Sequence, residues 1–164
     1  MPGPSEPVPT IGPVDVRREL TIPAPPDAVW AVVAAADRQA EWFPGMVSST
    51  VETGDAGTIR TVVTAAGGFL QEEILAIDHE ARRLEYRIVG PFRLEHHLGR
   101  ITVTDDGAGS RVSYEQELEP KALTYVLDAA LGDALEGLRD LVVDGRTSRS
   151  WVSPARDDAS GGGA

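Results

Sequence analysis

Residues Pro120–Val143 read PKALTYVLDAALGDALEGLRDLVV. Leu123, Val126, Leu127, Ala130, Leu131, Ala134, Leu135, Leu138, Leu141 and Val142 recur at i, i+3, i+4, i+7 spacing, the mark of a helix with one apolar stripe. At about 1.5 Å per residue such a helix spans roughly 35 Å, longer than a typical globular helix. Gly132 and Gly137 each cost about 1 kcal/mol relative to alanine within it. A cost taken twice points to close packing or a bend. A stripe this long needs a large apolar surface to lie on, and the rest of the chain supplies it as strands.

Upstream of the helix, turn chemistry divides the chain into short segments: Gly54/Gly57, Gly67-Gly68, Glu80-Ala81, Gly90-Pro91 and the run DDGAGS. Between these turns apolar residues alternate: Ile59, Thr61 and Val63; Leu84, Tyr86 and Ile88; Val112, Tyr114, Gln116 and Leu118. Six antiparallel strands in a meander are expected here. Before them, Val14, Val16, Leu20 and Ile22 predict a strand whose inward positions include Arg18. PAPPDAVWAVVAAA then predicts a helix opened by prolines, with Asp27 in its first turn. A second short helix, roughly 37–43, ends at Pro44-Gly45. The predicted order is β-α-α-β₆-α, an α+β fold. Its curved seven-stranded antiparallel sheet wraps around the long C-terminal helix, with two short helices between strands 1 and 2.

The chain has 164 residues, 41% hydrophobic and 25% charged, which is enough for one domain with a substantial core. Residues 1–13, MPGPSEPVPTIGP, predict a disordered arm and residues 144–164 a flexible tail, leaving 14–143 as the folded domain. The net charge of −11 lies almost wholly in that domain and repels phosphate backbones and anionic headgroups, so no nucleic-acid partner is expected. No apolar run approaches the roughly 18 residues of a membrane span, so no membrane insertion is expected. With no cysteine there is neither a disulfide framework nor a thiolate site. Without a secretory leader pattern, a cytoplasmic location is expected. A single lysine and abundant alanine resemble the composition of a high-GC, actinobacterial genome.

ELTIPAPPDAVWAVVAAADRQAEWFPGMVSSTVE (19–52) resembles the opening strand, first helix and second helix of the START/birch-pollen-allergen-like (SRPBCC) superfamily. GSRVSYEQELEP with the long helix after it resembles that superfamily's last strand and C-terminal helix. Together with ILAIDHEARRLEYRI, the pattern is most similar to the branch of polyketide cyclases/dehydrases and lipid transport proteins, over residues 14–143. The resemblance implies a helix-grip fold with a cavity under the long helix. It implies no shared catalytic triad, because the family holds cyclases, hydrophobic-ligand carriers and hormone receptors alike.

Strand parity then nominates site residues. Tyr114, Gln116 and Tyr86 point inward, as would Ser49, Thr61 and Arg18, while Arg111, Ser113, Glu115 and Glu117 face water. The two tyrosines serve equally well as core residues. His97 is inward by the parity of Ile101 and Val103, whereas Phe92, Leu94 and Leu98 favour His96. An inward histidine is suited to proton transfer near neutrality. Glu73 is ambiguous in face; if inward, Arg18 is its expected partner, the alternative being that Arg18 binds a ligand carboxylate or phenolate. Trp42 anchors the second helix, with Phe43 and Met46 available to a ligand, and Leu127 and Leu131 line the long helix. The catalytic candidates are therefore His97, Tyr114 and Glu73. No metal or cofactor is expected, because adjacent strand histidines face opposite ways. Three classes remain open: a monomer or homodimer that binds a hydrophobic small molecule (polyketide, aromatic or lipid-like), a polyketide cyclase/dehydratase, or an interaction protein whose grip is filled.

Overall fold

The computed structural model describes residues 14–92 and 94–148. The expected proline-rich arm and most of the expected tail, with Trp151, lie outside the described residues. Strands β1 (Val16–Ile22), β2 (Met46–Gly54), β3 (Gly57–Thr64), β4 (Phe69–Asp78), β5 (Arg83–Gly90), β6 (His96–Asp106) and β7 (Gly109–Glu119) form one antiparallel sheet. Its order is β1-β7-β6-β5-β4-β3-β2, so the chain runs as a meander from β2 to β7 and β1 closes onto β7. Between β1 and β2 lie helix α1 (Pro26–Ala34), a 3-10 turn (Ala36–Arg38) and helix α2 (Gln39–Trp42). A second 3-10 turn (Lys121–Leu123) leads into α3 (Thr124–Asp144). This is the helix-grip arrangement expected from the sequence.

The concave face of the sheet and the helices bury one apolar core. From α3 come Leu131, Ala134, Leu135 and Leu138; from α1 come Val29, Trp30, Val32 and Val33. Opposite them lie Val16, Ile22, Leu84, Ile101, Val103, Val112 and Leu118. Each such side chain contributes roughly 1.5–3 kcal/mol by leaving water. The helix starts later than Pro120, and its first turn stands clear of the sheet: Tyr125 is 87% and Val126 69% exposed. Val126 was expected in the apolar stripe. It falls about 140° around the helix from Leu131 at 3.6 residues per turn, and so points away from the core.

Gly137 answers the question its cost raised. A Cβ there would lie 2.0 Å from the Trp42 carbonyl oxygen, so α3 and α2 pack with glycine at the contact. At Gly132 the nearest atom to a Cβ would be Arg18 Cζ, at an ordinary 3.4 Å. Gly145, at φ 67°, ends α3 with its N–H on Leu141 O, and Ser148 Oγ donates to Ala40 O (3.1 Å). The chain up to residue 148 is thus tied back to α2.

On β3 the expected face is reversed: Arg60 and Val62 are buried, while Ile59, Thr61 and Val63 are half-buried on the other side. The reason is that Arg60 lies directly opposite Glu72 on β4 and binds it (2.6 Å), which lets the inner face hold a charge. Glu115 does lie on the outer face, yet it is buried there between Arg17 and Arg100 rather than facing water freely.

Candidate functional site

A line of polar side chains crosses the concave face within the apolar core. Its register is set by the sheet: Tyr114 on β7 lies opposite Ile101, Gln116 opposite Gly99, and Gly99 opposite Tyr86 on β5. Gly99 is what admits the Tyr86 ring, since a Cβ there would lie 2.4 Å from Tyr86 Cζ. The Tyr86 and Tyr114 hydroxyls share a 2.6 Å hydrogen bond, and Gln116 Nε2 donates to the Tyr86 hydroxyl at 2.9 Å. His97 Nε2 lies 3.2 Å from Gln116 Oε1, and the Ile88 N–H donates to His97 Nδ1 at 3.0 Å. An acceptor at Nδ1 puts the ring proton on Nε2, which donates to Gln116. The imidazole is therefore held neutral.

His97 also fills a break in the sheet. The β5–β6 ladder runs from Arg83↔Thr102 to Tyr86↔Gly99 and stops. Had it continued, Ile88 would have faced His97; instead the strands part and the imidazole takes the Ile88 N–H. A groove of about 310 Å³ opens there, bounded by Arg87, Ile88 and Val89 and by Leu94, Glu95, His96 and His97. His97 itself is 7% exposed, while His96 is exposed, so His97 is the inward histidine. Burial lowers the His97 pKa, against the opposing effect of the Gln116 hydrogen bond. Burial likewise raises Tyr86 and Tyr114 far above the ordinary phenol value, with each other's proximity adding to Tyr86 and the Glu72 charge adding to Tyr114. Both remain neutral hydroxyls that can donate a hydrogen bond.

At Tyr86, between Gln116 and Tyr114, the line meets a charged pair. Arg60 Cζ stands 5.1 Å from the Tyr86 ring centroid, over its face. Arg60 binds Glu72 and donates to the Ala36 carbonyl (3.4 Å). A groove of about 520 Å³ opens beside Ala36, lined also by Ala35, Val51, Thr58 and Ile77.

The other candidates fall in different places. Glu73 lies on the convex face, bound to Arg87 (2.6 Å) and not to Arg18. The bulge in β4 between Ile74 and Ala76, where Leu75 is the extra residue, explains why its parity was ambiguous. Arg18 does face the helix side, where Asp128 of α3 takes both its Nε and Nη2 at 2.9 Å. Thr61 is on the convex side, opposite Gln71. Ser49 faces inward, but its hydroxyl is engaged: it donates to Asp37 O (2.6 Å) and accepts from the Ala40 N–H (3.0 Å), fixing α2 to the sheet. Trp42 is buried, its ring 6.1 Å from that of Phe43, which is half-buried, as is Met46. Leu131 is buried and Leu127 half-buried on α3. Among the described residues no three His, Asp or Glu side chains are grouped as a metal ion requires. No helix of the described residues is long and apolar enough to cross a membrane.

Sequence reasoning missed Arg60, Glu72 and Gln39, all buried. Arg60 and Glu72 were hidden by the face reversal on β3. Their only sequence signal is opposite charges on neighbouring strands.

No curated protein matches the chain. Among solved structures, the protein XoxI from Bacillus cereus is similar at 20% identity and a TM-score of 0.70, covering 79% of this chain and 95% of that one. A solution structure from Thermobifida fusca is 25% identical with a TM-score of 0.62, covering 77% and 91%. Norcoclaurine synthase from Thalictrum flavum, solved in complex with dopamine and hydroxybenzaldehyde, is 19% identical with a TM-score of 0.59, covering 80% and 87%. The family model described as polyketide cyclase / dehydrase and lipid transport matches residues 13–144, nearly the whole folded part. With its helix-grip sheet, the chain belongs to the polyketide cyclase/dehydrase and lipid transport family of the START/birch-pollen-allergen-like superfamily.

Proposed function

We propose that this protein binds a hydrophobic small molecule of polyketide, aromatic or lipid-like character between the concave sheet and its helices. The observation that carries the reading is the buried line His97–Gln116–Tyr86–Tyr114, which puts four polar side chains inside an apolar core and has an open groove at its His97 end. A core built for stability alone gains little from such groups, whereas a ligand needs a few to orient it. Family membership adds to this support. Trp42 and Leu131 supply apolar walls, with Phe43, Met46 and Leu127 nearer the surface. Glu73 and Thr61, on the convex side, have no part in it.

Mass spectrometry of the native protein, followed by extraction and a Nile red titration, tests the reading. One retained hydrophobic molecule per chain, or saturable 1:1 dye binding, is expected. Neither being found sinks it in favour of a filled grip that serves as an interaction module.

A second reading, cyclase or dehydratase chemistry, is favoured by the neutral His97. Release of Nδ1 from the Ile88 N–H would give a base for an enolisable carbon, with the tyrosine hydroxyls as donors to a carbonyl. Under that reading His97→Ala abolishes turnover while ligand binding persists. Unchanged turnover removes His97 from the chemistry.

A further inference from the structure

The underside of α2 carries polar atoms with no partner. Ala36, Gln39 and Trp42 follow one another at three-residue steps, so they share the face that the 3-10 turn and α2 turn toward the sheet, and all three are buried. Both amide atoms of Gln39, at 1% exposure, lack a hydrogen-bond partner, and so does Trp42 Nε1. Facing them from β3, Arg60 reaches this underside through Ala36 O, and its Nη2 is also unpartnered. Such groups are rare in a folded interior, because each loses its water without replacement.

The set is strongly biased. Trp42 Nε1, Gln39 Nε2 and Arg60 Nη2 are all donors; Gln39 Oε1 is the one acceptor. What complements them is an oxygen with lone pairs. Its charge follows from Glu72, whose carboxylate already balances Arg60 at 2.6 Å. A ligand carboxylate would add an unbalanced negative charge beside Glu72 in a dry interior, whereas a neutral carbonyl would not. The groove beside Ala36 adjoins this underside: two of its lining residues touch Arg60's surroundings, Ala36 through the carbonyl that accepts from Arg60 and Val51 directly opposite Arg60 in the β2–β3 register.

We propose that Gln39, Trp42 and Arg60 form a seat for the carbonyl oxygen of a neutral, largely apolar ligand whose body occupies the adjoining groove. The inference rests on the binding reading above and names the ligand's chemical class: ketones, aldehydes or esters in preference to hydrocarbons and carboxylates. The seat accepts the oxygen without ionising any group, and Tyr86, beneath Arg60, connects it to the line that ends at His97.

The test uses three probes of one shape: 2-acetylnaphthalene, 2-ethylnaphthalene and 2-naphthoate, titrated against the full chain by tryptophan quenching. The acetyl compound should bind about tenfold or more tighter than either of the others, the value of a hydrogen bond to a charged group. Gln39→Leu and the double replacement Arg60→Met/Glu72→Leu should each cut that preference several-fold while leaving the ethyl compound's affinity within about twofold. The double replacement removes both charges together, which avoids leaving Glu72 buried alone. Equal binding of acetyl and ethyl compounds overturns the carbonyl seat but leaves ligand binding intact. A preference that survives in both variants places the carbonyl elsewhere and also overturns it. If none of the three probes binds while Nile red does, the seat alone is overturned; if Nile red also fails to bind and no molecule is retained, the binding reading fails and the seat with it.

Discussion

Replacing Gly137 and Gly132 by alanine should move stability in opposite directions, although both lie in the same helix. Alanine is favoured over glycine in a helix interior by about 1 kcal/mol, so propensity alone predicts a gain at either site. At residue 137 the new Cβ would sit 2.0 Å from the Trp42 carbonyl oxygen and 3.1 Å from its carbon. Both are backbone atoms, so no rotamer change relieves the overlap; α3 and α2 must separate by roughly 1 Å or more to reach normal contact. That separation loosens Ala134 and Leu141, the apolar residues one turn to either side of Gly137 on the same face of α3. Overpacking of this kind costs about 3 kcal/mol at its upper range, leaving a net loss of about 2 kcal/mol after the propensity gain. For a chain of this size that is a fall in Tm of about 4–8 °C. At residue 132 the Cβ meets the end of the Arg18 side chain at 3.4 Å, an ordinary contact, and the propensity gain should survive as a rise of about 2–4 °C. Thermal unfolding followed by circular dichroism at 222 nm reads both. Tm shifts of the same sign, or a gain for Gly137→Ala, would refute the close approach of α3 to α2.

Two further outcomes follow from the buried line. Gly99→Ala drives a Cβ into the Tyr86 ring and should break the Tyr86–Tyr114 and Gln116–Tyr86 bonds, at a cost of about 2–4 kcal/mol in urea unfolding; a wild-type midpoint would contradict the ring's placement. His97 gives a pH signature, because burial lowers its pKa below the reference value of 6.5, so the unfolded chain binds its proton more readily. The stability it contributes is complete above about pH 6.5 and is lost as pH falls through the folded value. His97→Gln should flatten that slope, and an equal Tm difference between the two proteins at pH 7.5 and pH 5 would rule the mechanism out.

The fold was legible because its signals are periodic. Ten apolar positions at helical spacing placed α3, and glycine-rich turns separated the strands well enough to give their number and direction. Within the site, Tyr86, Tyr114 and Gln116 were also legible, since β5 and β7 alternate without interruption. Parity failed where the physics of pairing overrides it. Arg60 looked outward because a lone arginine belongs in water, yet Glu72 across the ladder makes it a buried partner. Glu73 was obscured by the bulge at Leu75, which moves the following β4 residues to the other face. Gln39 gave no signal, because a glutamine at a helix start reads as surface.

Among the described residues the strand order leaves β1 and β2 each with one side unpaired, and these two margins are guarded differently. On β1, Arg17, Arg18 and Glu19 are consecutive, so charges project from both faces, and another strand adding there would have to cover them. β2 is irregular at its start, where the register shifts between Met46 and Ser48, and its middle carries no charge before Glu52. An open sheet of this kind is therefore protected from strand addition by charge along one margin and by backbone irregularity at one end of the other. Of these two margins, the uncharged run from Val47 to Val51 is the one more exposed to aggregation through its backbone.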